Sequence, residues 1–281
     1  MTQSIDDLEW GNPASRYENH CPIDSVVAEM ERCGSRNIWF PDATLTANPK
    51  RARELFKALK IRWLSQITLN VARDLKMLDL MAKSGCWLVS IGFESLSEKN
   101  IQTAAKVQNR VTDYEKVIRE LHQRNIAIEG NLVYGFDEDD QDVFERTARF
   151  TMKVGMDRPE FYVLTPYPDT ELYGRLRRAG RIVDDNWAHY DNTHFHYLPV
   201  FEPANMSRAE LREGCWQAER IVYRCSNVIR RLWRSGVRRV PSLMANYIYS
   251  NRIESRHDLI PLSESINDLP PDDSFMPVQT A

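Results

Sequence analysis

Apolar residues along this chain gather in short runs separated by amphipathic stretches. Five runs, near residues 37–41, 62–69, 86–93, 126–134 and 159–165, are rich in β-branched and aromatic residues and too short for typical helices, so they predict strands. Between them apolar positions recur every three or four residues. Leu55, Phe56 and Leu59 follow a helix start at Asn48-Pro49, Leu75, Leu78 and Met81 run up to Gly85, and Tyr114, Val117, Ile118 and Leu121 precede the fourth run. The helical stretch "QDVFERTARFTMKVG" joins the fourth and fifth runs, and one helix, "DSVVAEMERCG", precedes the first. Strands alternating with helices imply right-handed βαβ units and a parallel sheet. The third run, "WLVSIGFES", is almost continuously apolar, which predicts cover on both faces.

From Tyr167 the pattern changes. "TELYGRLRRAGRI" reads as a short amphipathic helix, "DDNWAHYDNTHFHYLPVFEP" as an irregular aromatic segment, and Ser207 with Glu210 as a capping box that opens one long helix reaching about Trp233. The predicted organisation is a barrel-like core at 21–170, a helical extension over it at 171–257, and a disordered, acidic, Pro-rich tail at 258–281.

In parallel α/β sheets ligands sit beyond the carboxyl ends of the strands, which singles out the polar residues there. Asp42 and Thr44 follow the first run, Gln66, Thr68 and Asn70 alternate along the second, and Glu94-Ser95 ends the third. Gly135 and Asp137 end the fourth. Two readings of Glu94-Ser95 stand on pattern alone, a ligand site or the cap of the helix that follows.

The formal charge of −3, from 37 basic and 40 acidic residues, argues against a global role in binding nucleic acid. No stretch has the roughly 18 apolar residues of a membrane span, and the polar start "MTQSIDDLEWGNP" lacks a signal-peptide pattern, so a cytoplasmic location is expected. Cys21, Cys33, Cys86, Cys215 and Cys225 fit neither a disulfide framework nor a zinc spacing. Cys33, in register with Val26 and Met30, reads as a core residue.

The segments "IWFPDATLTANPKRARELFKAL", "LMAKSGCWLVSIGFESLSEKNIQTAAKVQNR", "IEGNLVYGFDEDDQDVFERT", "LTPYPDTELYGRLRRAGRI" and "NWAHYDNTHFHYLPVFEPANMSRAEL" together resemble the radical S-adenosylmethionine (radical SAM) proteins, specifically the branch that usually carries a cobalamin-binding domain. The similarity runs over about residues 15 to 235, leaving 1–20 as a largely non-matching segment. It implies an open, TIM-like (β/α) barrel lacking its first strand. It also implies S-adenosylmethionine as cofactor, and in complete relatives a four-iron four-sulfur cluster and cobalamin. The expected chemistry is radical methylation or rearrangement of lipid or tetrapyrrole-like small molecules. By the resemblance, Asp42, Gln66, Glu94, Ser95, Asn131, Gly135 and Thr165 form the cofactor rim. The family's C-x-x-x-C-x-x-C loop is absent from the sequence, so the chain is expected to be inactive alone. Three explanations stay open: a gene fragment, a protein whose cluster comes from a partner subunit, or a non-catalytic S-adenosylmethionine- or ligand-binding descendant.

Other polar groups have plainer readings. Lys106, Asn109 and Arg110 read as a solvated connector, and the acids of "GFDEDD" as a helix N-terminus rather than metal ligands. His189, His194 and His196 read as part of a polar-aromatic plug. Arg230, Arg231, Arg234, Arg238 and Arg239 around Trp233 read as a solvated helix end, with an anionic partner as the alternative.

Overall fold

The computed structural model describes residues 21–41, 45–104, 109–191 and 197–235. Asp42, Thr44, Lys106, His194, His196, Arg238, Arg239 and the segments 1–20 and 258–281 lie outside the described residues. Helix α1 (Ile23–Cys33) precedes strand β1 (Asn37–Phe40); then follow α2 (Pro49–Ala58), β2 (Arg62–Gln66), α3 (Leu75–Ser84) and β3 (Cys86–Glu94). Helices α4 (Glu98–Thr103) and α5 (Tyr114–Gln123) lead to β4 (Ala127–Tyr134), and α6 (Val143–Val154) leads to β5 (Arg158–Val163). The five strands form one parallel sheet in chain order, a partial α/β barrel. All five predicted strands are present. The second ends earlier than its pattern suggests, at Gln66.

Local chemistry sets the helix ends. Asn48 and Asp74 cap α2 and α3 by accepting from the N–H of Arg51 and Met77. Gly85 ends α3 in the left-handed region at φ 101°, and its backbone lies so close to the Ile61 carbonyl that no side chain fits.

The two faces of the sheet differ. On the outer face Trp63, Val89, Ile91, Phe93, Ile128, Leu132, Phe161 and Val163 are buried beneath the helices. The inner face carries Gln66, Ser90, Glu94, Glu129, Asn131, Arg158 and Tyr162, exposed or half-buried, with Leu88 and Glu160 buried among them. The expectation that β3 is covered on both faces is therefore corrected. Its outer face is sealed, while on the inner face Leu88 is buried but Ser90, Gly92 and Glu94 are only half-buried; Trp87, also half-buried, sits at a register shift between β2 and β3.

Beyond β5, α7 (Glu171–Arg178) and a short 3-10 turn (Trp187–Tyr190) lead to α8 (Arg208–Tyr223) and α9 (Cys225–Ser235). The capping box at Ser207 and Glu210 is formed. Helix α8 docks on α6 and β5, with Gly214 against the Phe144 ring and the Tyr223 hydroxyl donating to the Pro159 carbonyl at 2.6 Å. The single long helix expected to reach Trp233 is instead two helices, broken at Arg224 (φ −57°, ψ 134°). The break lets side chains from α9 cap the end of α8. Asn227 Nδ2 donates to the Ile221 carbonyl and buried Arg231 Nη1 to that of Val222, satisfying acceptors that a continuous helix would have used internally. Cys33 is also corrected, since it is exposed on α1, past the buried Met30.

Candidate active-site face

The end of β3 is built around an irregularity. Gly92 is opposite Asn131 while Glu94 is opposite Leu132, so two residues of β3 answer one step of β4 and the strand bulges. Glu94 adopts φ 65°, a left-handed conformation that a β-carbon disfavours. The bulge folds its carboxylate back over Gly92, where a Cβ would collide with it. Two outside groups pin the bulge. The Tyr114 hydroxyl on α5 donates to the Phe93 carbonyl at 2.6 Å, and Asn109 Nδ2 donates to the Gly92 carbonyl at 3.0 Å. Burial, with the nearby Glu94 and Glu98 charges, holds the Tyr114 phenol in its protonated, donating form. The solvated reading of Asn109 is thereby corrected: it is 3% exposed and braces the strand, whereas Arg110 is exposed as expected.

The other predicted rim residues divide by position. Gln66 is exposed at the carboxyl end of β2, opposite Ser90, and so shares the inner face with Glu94. Asn131 lies on the same face and donates to Ser90 Oγ at 3.0 Å, while its own carbonyl oxygen is buried without a partner. Ser95 lies beneath that face, accepting from Ser97 N–H and Asn100 Nδ2, while Ser97, not Glu94-Ser95, caps α4. Gly135 (φ 102°) packs against Phe201 and Leu211 of the extension. Thr165, half-buried just past β5, donates to the Val163 carbonyl.

The acids of "GFDEDD" are partnered. Asp139 Oδ2 accepts from the N–H groups of Gly135 and Phe136 while Oδ1 accepts from Asn100, forming a brace between the ends of β3 and β4. Burial pushes its carboxyl up to about 6, against the lowering pull of those donors. Partial burial raises the Asp137 carboxyl, but Arg181 and Arg175 at 2.7 and 2.6 Å outweigh it and hold it below the usual range. Glu138 pairs with Lys99, and Asp140 with Arg146. His189 is buried, with Nδ1 2.7 Å from Asp184 Oδ2 and Nε2 3.2 Å from Asn186 Nδ2, as a structural plug requires.

One cluster escaped the sequence reading. On the inner face Arg158 pairs with Glu129 Oε2 at 2.8 Å and with Glu160, whose carboxylate also accepts from the Tyr162 hydroxyl. Burial and the neighbouring Glu160 charge raise the Glu129 carboxyl, while Arg158 and Ser90 lower it. The signal was present, since Glu129 and Asn131, and then Arg158, Glu160 and Tyr162, occupy alternate positions of strands otherwise apolar.

Against known proteins, a profile of the Radical SAM superfamily matches residues 9–151, just over half of the chain. The chain belongs to the radical SAM superfamily. It is 33% identical over 215 residues to a bacteriochlorophyllide d C-12(1)-methyltransferase of Chlorobaculum tepidum, covering 75% of this chain and 46% of that protein. An anaerobic magnesium-protoporphyrin IX monomethyl ester cyclase of Cereibacter sphaeroides is 25% identical over 226 residues, covering 77% of this chain and 36% of the relative. The chain thus spans less than half the length of either. Among solved structures, the radical S-adenosylmethionine methyltransferase TsrM of Kitasatospora setae, with cobalamin and a [4Fe-4S] cluster bound, superposes with a TM-score of 0.51 at 17% identity. That match covers 69% of this chain and 41% of TsrM and supports the fold.

Radical SAM proteins use S-adenosylmethionine with a four-iron four-sulfur cluster. Soft thiolates hold such clusters. Cys21, Cys33 and Cys225 are exposed and scattered, Cys86 and Cys215 are buried, and the sequence has no C-x-x-x-C-x-x-C motif. Burial raises the Cys86 and Cys215 thiols far from the thiolate form. Among the described residues no group of three His, Cys, Asp or Glu is placed to hold a metal. The chain's own cysteines do not fit the cluster. The inner face carries polar groups of the kind a nucleoside needs, the Glu94 carboxylate over Gly92 and the buried, unpartnered Asn131 Oδ1.

Proposed function

We propose that this chain is the S-adenosylmethionine-binding core of a system that methylates or cyclises a tetrapyrrole-like or lipid-like substrate. The observation that carries the reading is Glu94, held at φ 65° on a bulge at the carboxyl end of β3 and turned over Gly92. Strain of this kind persists where surrounding groups over-determine it, and here Tyr114 and Asn109 do so. Glu94 would accept from the ammonium or ribose hydroxyls of the ligand and the Asn131 carbonyl oxygen would add an acceptor. Gln66 and Thr165 would border the site at β2 and β5, with Ser95 and Gly135 shaping its walls. S-adenosylmethionine would supply an activated methyl group and, with the family's cluster, access to radical chemistry.

The tetrapyrrole reading is supported by the two relatives, whose names specify a bacteriochlorophyllide and magnesium-protoporphyrin IX monomethyl ester. The cluster ligands, and a cobalamin if one is used, would come from a longer polypeptide or a separate subunit. The missing cysteine motif favours a second reading as well, a binding subunit without turnover of its own.

Equilibrium dialysis with S-adenosylmethionine tests the reading. Saturable binding that Glu94→Gln weakens at least tenfold supports it, and no binding, or binding indifferent to Glu94, overturns it. Iron and sulfide content after anaerobic reconstitution, with electron paramagnetic resonance of the reduced sample, is expected to show no stoichiometric cluster on this chain.

A further inference from the structure

Helix α9 presents an outward face that the proposed site does not use. Val228 packs on the core, Arg231 is buried over the Tyr223 ring at 5.1 Å, and Leu232 is half-buried, so one side of the helix is anchored. The opposite side consists of two neighbouring ridges at four-residue spacing. Cys225, Ile229 and Trp233 form one, with Ile229 55% and Trp233 79% exposed, and exposed Ser226 and Arg230 form the other. An aliphatic and an indole side chain on the solvent side, beside a guanidinium, invert the usual logic of a docked amphipathic helix.

The sequence around this face is strongly cationic. From Arg220 to Ile253 the chain has eight arginines and no Asp, Glu or Lys, in a protein whose overall charge is −3. We infer that the outer face of α9 docks on an anionic lipid surface, with Trp233 and Ile229 entering the interface and Arg230 facing the headgroups. The apolar ridge decides between anionic partners. Nucleic-acid contacts use cations and polar groups along a phosphate track, whereas an exposed Ile and Trp one helical turn apart match the interfacial arrangement of peripheral amphipathic helices. No helix among the described residues is long and apolar enough to cross a membrane, so contact of this kind would be peripheral. Such docking would bring the chain to where a poorly water-soluble substrate resides, a consequence that rests on the proposed function.

Flotation of the full chain with vesicles tests the docking directly. Vesicles of phosphatidylcholine with about 30% phosphatidylglycerol should carry the protein, and pure phosphatidylcholine should carry far less. Trp233→Ser should reduce partitioning about tenfold, as should Arg230→Glu, and raising salt from 0.1 to 0.5 M should weaken binding. Both substituted side chains are exposed, so thermal unfolding should be unchanged and a folding defect is separable. No flotation with anionic vesicles overturns the inference, as does flotation indifferent to Trp233. Capture by a duplex RNA with no vesicle binding overturns it in favour of nucleic acid. Dialysis with S-adenosylmethionine is independent of α9, so failure here leaves the proposed function standing, and the reverse also holds.

Discussion

The two faces of the five-stranded sheet share a backbone and differ in almost everything else. The outer face is a continuous apolar layer whose members are interchangeable in kind, because hydrophobic burial is non-directional. The inner face holds Glu94, Glu129, Asn131, Arg158 and Tyr162, each in a specific contact and each costly to strand without its partner. Most of the apolar burial therefore lies on one side of each strand and the proposed site on the other, one residue apart.

Mutations on alternate positions of β5 and β3 should separate these roles. The largest loss is expected for Phe161→Ala on the outer face, about 3–5 kcal/mol, because a fully buried ring leaves a cavity. Urea unfolding measures it, and a loss below about 1 kcal/mol would show that the layer collapses to fill the gap. Three positions earlier, on the inner face, Arg158→Met should cost about 3 kcal/mol by leaving Glu129 and Glu160 without their cation. Replacing all three with apolar residues should recover most of that stability. If the triple variant is as unstable as the single, the cluster stabilises the fold and the division between faces fails. The smallest effect is expected for Glu94→Gly, a gain of about 0.5 kcal/mol on thermal unfolding as the left-handed strain is relieved, accompanied by loss of S-adenosylmethionine binding. A clear destabilisation would mean that the Glu94 carboxylate holds the strand end together.

The fold was legible because its outer face is. Runs such as Ile126–Ile128 and Phe161–Val163 announce strands through apolarity, and Asn48-Pro49 or Ser207 with Glu210 announce helix starts through local hydrogen bonding. The inner face was legible only in part. Glu94 stood out because it ends a run, whereas Glu129 and Glu160 hide inside theirs, and their meaning comes from Arg158, which lies beside both only once β4 and β5 pair. Asn109 misled for a related reason, since a polar residue in a connector looks solvated until its partner, the Gly92 carbonyl, is brought to it. The break at Arg224 is a tertiary effect too, because Tyr223 is tied to Pro159 on β5.

The Tyr114 hydroxyl gives the molecule a property separate from stability and binding. It sits on α5 in the outer layer and reaches through to the Phe93 carbonyl beside Glu94. The aim of the acid is thus adjustable from behind. Under the proposed function, a lineage can retune the angle at which Glu94 meets the ligand by altering how α5 seats on the sheet, with no substitution among residues that would touch the ligand. On that reading, selection on specificity has a handle on the far side of the strand.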